Sequence, residues 1–225
     1  MLVAVVRHSE STENATKHTG FYQDPRPWTG PAAHALSRDL VGLTPRGFLQ
    51  SVWLRGALAD LLGAGPALSL HTSQYRRALD TAALALPGRE PRVTPLLNEQ
   101  HYAEATYMTK RELFATYPDG AEDRRSRKHL WTPPGPGGES LAEGVLPRAV
   151  AYVDQVRAAA GSTPGDVVAV THHTAILALR SVLEERPVTD LVEEARLRKT
   201  PNGSVLLYEL RAGHFHAAAT AEPDC

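Results

Sequence analysis

At 225 residues, with 42% hydrophobic and 22% charged side chains, the chain is sized for one soluble domain that can bury a sizeable core. A net charge of −1 excludes a global basic field directed at nucleic acid or an anionic membrane, and no run approaches the roughly eighteen apolar residues of a membrane span. The single cysteine, Cys225, is the last residue, which leaves no internal disulfide and no thiolate metal cluster.

Residues 2–6 (LVAVV) form a short apolar run of the length of a strand covered on both faces. It breaks into Arg7-His8-Ser9-Glu10-Ser11, so these polar groups sit at a strand's carboxyl end, the edge where open α/β sheets bind ligands. Residues 19–43 show no clean periodicity and carry three prolines and three glycines. Their aromatics Phe21, Tyr22 and Trp28 suit an irregular insert or lid at about residues 20–43. Thr44-Pro45 then reads as an N-cap followed by proline at the first helical position. Phe48, Leu49, Val52, Leu58, Leu61 and Leu62 give that helix a broad apolar face up to Gly63.

A second strand over residues 67–70 ends in His71-Thr72-Ser73, and an alanine-rich helix follows from Arg77. Thr109 with Glu112, and Ser140 with Glu143, have capping-box spacing, although Gly144 and Pro147 blur the start of the second helix. WTPPGPGG (residues 131–138) is a loop. DVVAVT (residues 166–171) is the clearest buried strand and runs into His172-His173-Thr174 before the apolar helix AILALRSVL. Residues 204–210 read as the last strand. Strands alternating with helices predict an α/β protein with helices packed on both faces of the sheet. With no linker to divide the chain, one domain over residues 1–225 is expected.

Two strand ends thus present His8 and His172, and the same edge offers Arg7 and Arg77. Arginine forks and imidazole N–H groups suit a tetrahedral oxyanion such as phosphate, and a neutral imidazole is a competent nucleophile. On these residues alone three readings stand. One is a phosphoryl-transfer enzyme; another is a metal-dependent hydrolase ligated by His8, Glu10, His172 and His173; the third is a non-catalytic phospholigand-binding module. Adjacent histidines rarely bind one ion, and none of these four residues stands in an HxH or HExxH spacing, which weighs against the metal.

Six ordered motifs resemble those of the histidine phosphatase superfamily, in its phosphoglycerate-mutase-like branch. Arg7-His8-Ser9-Glu10, with Asn14 following, is similar to the RHGE signature, and LTPRGFLQS (43–51) to LTxxGxxQA. SQYRRALDTA (73–82) is similar to SxxxRAxxTA, LNEQHYAE (97–104) to LNERxxG, GGES (137–140) to GES, and VVAVTHHTAI (167–176) to VxVVSHGGxI. The resemblance implies a three-layer α/β/α sandwich with a mostly parallel central sheet. It implies a metal-independent phosphomonoesterase of the histidine acid type, hydrolysing a small phosphorylated metabolite with no cofactor. A phosphoglycerate-type mutase is the nearest alternative.

Carried over by position, His8 matches the histidine that becomes phosphorylated. Arg7, Arg77 and His172 match the groups that grip the phosphoryl oxygens, and Glu99 matches the general acid. Asn14, Thr19 and Gly20 match positions facing phosphate or substrate. The departures are Ser9 and His173 where the family has glycine, and Gln100 where the mutases have arginine; Gln100 and His173 are also candidates for substrate contact. With no leader or membrane segment legible, the expected setting is cytoplasmic, with neither nucleic acid nor membrane as partner and a homodimer as an open possibility.

Overall fold

The computed structural model describes residues 1–16, 31–63, 67–161 and 165–224. Strand β1 (Leu2–Arg7) is followed by short helix α1 (Thr12–Thr16), α2 (Pro31–Asp39) and α3 (Pro45–Leu62). Then come β2 (Leu68–Thr72), α4 (Arg76–Ala85), the short β3 (Arg92–Val93), α5 (Lys110–Thr116) and α6 (Ala121–Ser126). The chain ends with α7 (Leu146–Ala160), β4 (Asp166–Thr171), α8 (His173–Leu183), α9 (Val188–Leu197), β5 (Val205–Arg211) and β6 (His214–Ala221).

The sheet runs β3-β2-β4-β1-β5-β6. The pairs β3-β2, β2-β4 and β4-β1 are parallel; β1-β5 and β5-β6 are antiparallel. It is therefore a mixed, mostly parallel sheet with helices on both faces, in line with the expected α/β/α layering. The pleat of β1 explains the two cores. Val3 and Val5 point into a cluster with Val153, Ile176 and Leu179 from α7 and α8. Ala4 and Val6 point the other way, onto Leu54 and Leu58 of α3 and Ala78 and Ala82 of α4. Fully burying one such leucine is worth about 1.5–3 kcal/mol. Among the described residues no helix is long and apolar enough to cross a membrane.

Four expectations are corrected. Thr19, Gly20 and the aromatics Phe21, Tyr22 and Trp28 lie outside the described residues, but the rest of the supposed irregular insert contains α2, a regular helix opened by Pro31 that buries Ala33 and Ser37 one turn apart. The buried stripe of α3 is Gly47, Gln50, Ser51, Leu54 and Leu58, while Phe48, Leu49 and Val52 are exposed. The polar first half of that helix faces the chain segment after β1, so hydropathy alone pointed to the wrong face. Residues 204–210 are not the last strand: β6 follows as an exposed edge strand whose alanines carry little β signal. Finally, the helix after Ser140 opens with a π-turn, Leu141–Val145, and becomes α-helical only at Leu146, with Pro147 in its first turn.

The predicted caps form. Thr44 Oγ1 accepts the Gly47 N–H at 3.0 Å, and Thr109 and Glu112 make a complete reciprocal box.

Candidate active site

Register builds the site. In the parallel pair β1-β4, Arg7 stands beside Thr171, so the next residues, His8 and His172, emerge side by side. The His8 N–H donates to the Thr171 carbonyl at 2.9 Å, and the two imidazole centroids are 5.0 Å apart. β2 ends on the far side of β4, where the Ser73 N–H donates to the Val170 carbonyl at 3.1 Å and brings the Ser73 hydroxyl to the same edge.

His8 is 3% exposed, and its Nδ1 lies 2.7 Å from the carbonyl oxygen of Ser9. A carbonyl only accepts, so Nδ1 carries the proton and the lone pair of the neutral ring is on Nε2. The backbone around it is clamped by the turn before β5. Asn202 Nδ2 and the Gly203 N–H both donate to the His8 carbonyl, at 2.9 and 3.3 Å.

His172 is fully buried, and its Nε2 is 2.7 Å from Ser73 Oγ. That hydroxyl accepts the Tyr75 N–H at 3.3 Å and keeps a second lone pair and its own proton for Nε2, so the contact admits either tautomer of His172; donation from Ser73 to Nε2 is the arrangement that leaves the ring proton on Nδ1. Nδ1 is buried and has no hydrogen-bond partner among the described residues. Burial, together with the charges of Arg77, His8, Arg7 and Arg148, holds His172 well below the ordinary histidine range. It is a neutral donor, not a cation.

Arg7 donates from Nη1 to the Thr200 carbonyl, and its buried Nε has no hydrogen-bond partner among the described residues. Burial lowers its pKa to about 10, opposed by the nearby Glu99 carboxylate and reinforced by Arg77, so it remains cationic at neutral pH. Arg77 is 5% exposed and packs its guanidinium 4.6 Å from the centre of the Tyr75 ring. It donates to the Ser37 carbonyl of α2 at 2.8 Å and pairs with Glu13 at 3.5 Å.

Glu99 follows a 3-10 turn, Pro95–Leu97, that is pinned to the sheet edge. Thr171 Oγ1 donates to the Leu97 carbonyl at 2.7 Å, and Arg148 Nη1 donates to the carbonyls of Pro95 and Asn98 at 3.1 and 3.0 Å. The Glu99 carboxylate is half-buried and accepts N–H groups from Gln100 at 2.9 Å and from Thr174, in the first turn of α8, at 3.2 Å. Because Thr174 stands two residues after His172, this bond sets the carboxylate at the histidines' edge of the sheet, and its charge opposes the lowering of Arg7.

The other predicted residues divide. Asn14 Oδ1 accepts from Ser11 Oγ at 2.9 Å and from Asn202 Nδ2 at 3.1 Å, so Asn14 braces the turn that clamps His8. Gln100 is buried and spends its amide on the Glu139 carbonyl at 2.7 Å, and His173 opens α8. Ser9 is fully buried, and its hydroxyl accepts from Ser51 of α3 at 2.8 Å. The side chain that replaces the family glycine is thus absorbed between helices. Glu10 accepts the Thr44 hydroxyl at 2.8 Å and faces Arg46, which takes it out of any ligand set with the histidines. Among the described residues no group of three His, Cys, Asp or Glu could hold a metal ion.

Reasoning from sequence missed Ser73, Ser37, Arg148, Thr200 and Asn202 as supports of the site. Asn202-Gly203 before a strand was a legible turn signal, but its contact with His8 spans 194 residues and leaves no local trace.

Solved structures share this architecture. The α-ribazole phosphatase of Shigella flexneri superposes with a TM-score of 0.73 at 18% identity, over 97% of this chain and 95% of that one. YhfR of Bacillus stearothermophilus gives 0.72 at 23% identity, over 96% and 95%. Mycobacterial glucosyl-3-phosphoglycerate phosphatase gives 0.69 at 23% identity, over 96% of each chain. No curated protein sequence matches significantly. The model of the histidine phosphatase superfamily (branch 1) matches residues 3–222, and with the paired histidines at the ends of β1 and β4 it shows that the chain belongs to that family.

Proposed function

We propose that the chain is a phosphomonoesterase that hydrolyses a small organic phosphate through a phosphohistidine on His8. The observation that carries this reading is the Nδ1–H to Ser9 carbonyl bond, which directs the His8 lone pair to Nε2 beside His172 and within the field of Arg7 and Arg77. In the first step Nε2 forms a bond to phosphorus while the ester P–O bond breaks, and Glu99 in its acid form gives its proton to the leaving oxygen. In the second, water attacks phosphorus, the N–P bond returns its electron pair to the ring, and Glu99 takes the water's proton. Arg7, Arg77 and the Nδ1–H of His172 supply fixed donors for the charge on the transferring oxygens, so the reaction is expected to survive chelators.

Hydrolysis is favoured over mutase chemistry because Gln100, standing where the mutases have arginine, is neutral and turned to the Glu139 carbonyl. The phosphatase names of two of the similar structures support the same reading. The test is a panel of phosphomonoesters followed by acid-free quenching with labelled substrate. A base-stable, acid-labile phosphoryl group that disappears in His8→Ala is expected; full turnover by His8→Ala would overturn the assignment.

A further inference from the structure

Helix α2 is fastened to the pocket at two points. Near its end the Ser37 carbonyl accepts Arg77 Nη1, while Ser37 Oγ donates at 2.9 Å to Glu13, the carboxylate that also pairs with Arg77. One turn earlier the His34 ring stacks on His101 of the Glu99 loop, centroids 3.5 Å apart and planes inclined by 30°. The Tyr75 ring meets His34 edge-on, with its hydroxyl 3.5 Å from Nε2. His101 is held from behind: its Nδ1 accepts the Ala103 N–H at 3.1 Å, and its own backbone N–H donates to Glu139 at 3.0 Å.

Nothing in phosphoryl transfer uses these two imidazoles. A stack this close tolerates poorly a charge on both rings. A proton added to His101 must also go onto Nδ1, which would end its bond from Ala103.

We propose that His34 is a positioning residue: the neutral stack with His101 docks α2 on the pocket and so fixes Arg77 through the Ser37 carbonyl, and protonation of the pair releases both. The consequence for catalysis rests on the role assigned to Arg77; the docking does not.

The surroundings favour neutrality. On α2 itself lie Arg38 and Asp39, which pair with each other. From the α4 side come Tyr75 and Arg77, and from the loop His101, backed by Glu139 and Arg148, which also pair. Burial first, then His101 and Arg38, push His34 down to about 4, with Glu139 opposing. His101 is lowered too, chiefly by burial. A histidine whose docked pKa lies below its free value of about 6.5 gives docking full strength above that pH and weakens it as the pH falls toward 4. For His34 alone, the docking constant drops about 20-fold between pH 7 and pH 5.

Amide hydrogen exchange of residues 33–39, corrected for the intrinsic pH dependence, tests this without substrate, so its outcome is independent of what the protein hydrolyses. Protection should fall on the order of 20-fold from pH 7 to pH 5 in the natural protein and stay nearly flat in His34→Phe, which keeps a ring but cannot take a proton. Unchanged protection in the natural protein, or an equal fall in the variant, overturns the proposal. Should the variant fail to fold, NMR titration of the His34 ring decides: a midpoint below 5 supports the clamp, and one near 6.5 sinks it.

Discussion

Replacing Ser73 by alanine removes one hydroxyl from a place closed to bulk solvent, since Ser73 and His172 are both 0% exposed. That hydroxyl accepts the Tyr75 N–H and lies 2.7 Å from His172 Nε2; when it donates there, the remaining imidazole proton stands on Nδ1. His172 is 0% exposed, so Ser73→Ala leaves a ring nitrogen buried and unpaired, a cost of about 1–3 kcal/mol. Part of that cost appears as lost stability. The rest falls on the transition state, because the ring is no longer held in the tautomer that donates from Nδ1; carried there in full, it corresponds to roughly a 5- to 150-fold loss in kcat/KM. Urea unfolding and steady-state kinetics on an aryl phosphate, run side by side, measure the two portions. A variant with unchanged stability and kcat/KM within twofold of the natural protein would refute the argument that Ser73 sets the state of His172.

Two further substitutions probe other parts of the site. Glu99→Gln should slow alkyl phosphates, whose leaving oxygens need a proton, by far more than aryl phosphates; an equal loss on both, read from kcat/KM, would make Glu99 a binding group and not an acid. Gly47→Ala would set a Cβ 2.0 Å from the Glu10 carbonyl oxygen, so the segment after β1 must move; a cost of about 1–3 kcal/mol is expected, visible as a lower Tm, and an unshifted melting curve would contradict the close approach.

The sequence by itself determined the elements that carry chemistry. Buried strands are legible because valine-rich runs need no distant partner to be recognised, and the polar residues that end them, Arg7-His8 and His172, could be placed on the ligand edge from topology rules alone. Thr44 and Thr109 announced their helices because a cap is a contact over three residues. Tertiary structure decided what depends on register and on faces. Which side of α3 is buried was set by Gln50 and Ser51 meeting Glu10 and Ser9, polar contacts that a hydropathy pattern reads as solvent-facing. The order of strands decided that Ser73 would meet His172 across 99 residues and that Asn202 would hold His8 across 194. The docking of α2 depends on one imidazole lying against another from a distant loop. Local patterns survive in sequence because their partners are neighbours in the chain; these contacts do not, because a hydrogen bond or a ring stack is specified by both ends, and the second end is chosen only when the sheet and helices have packed.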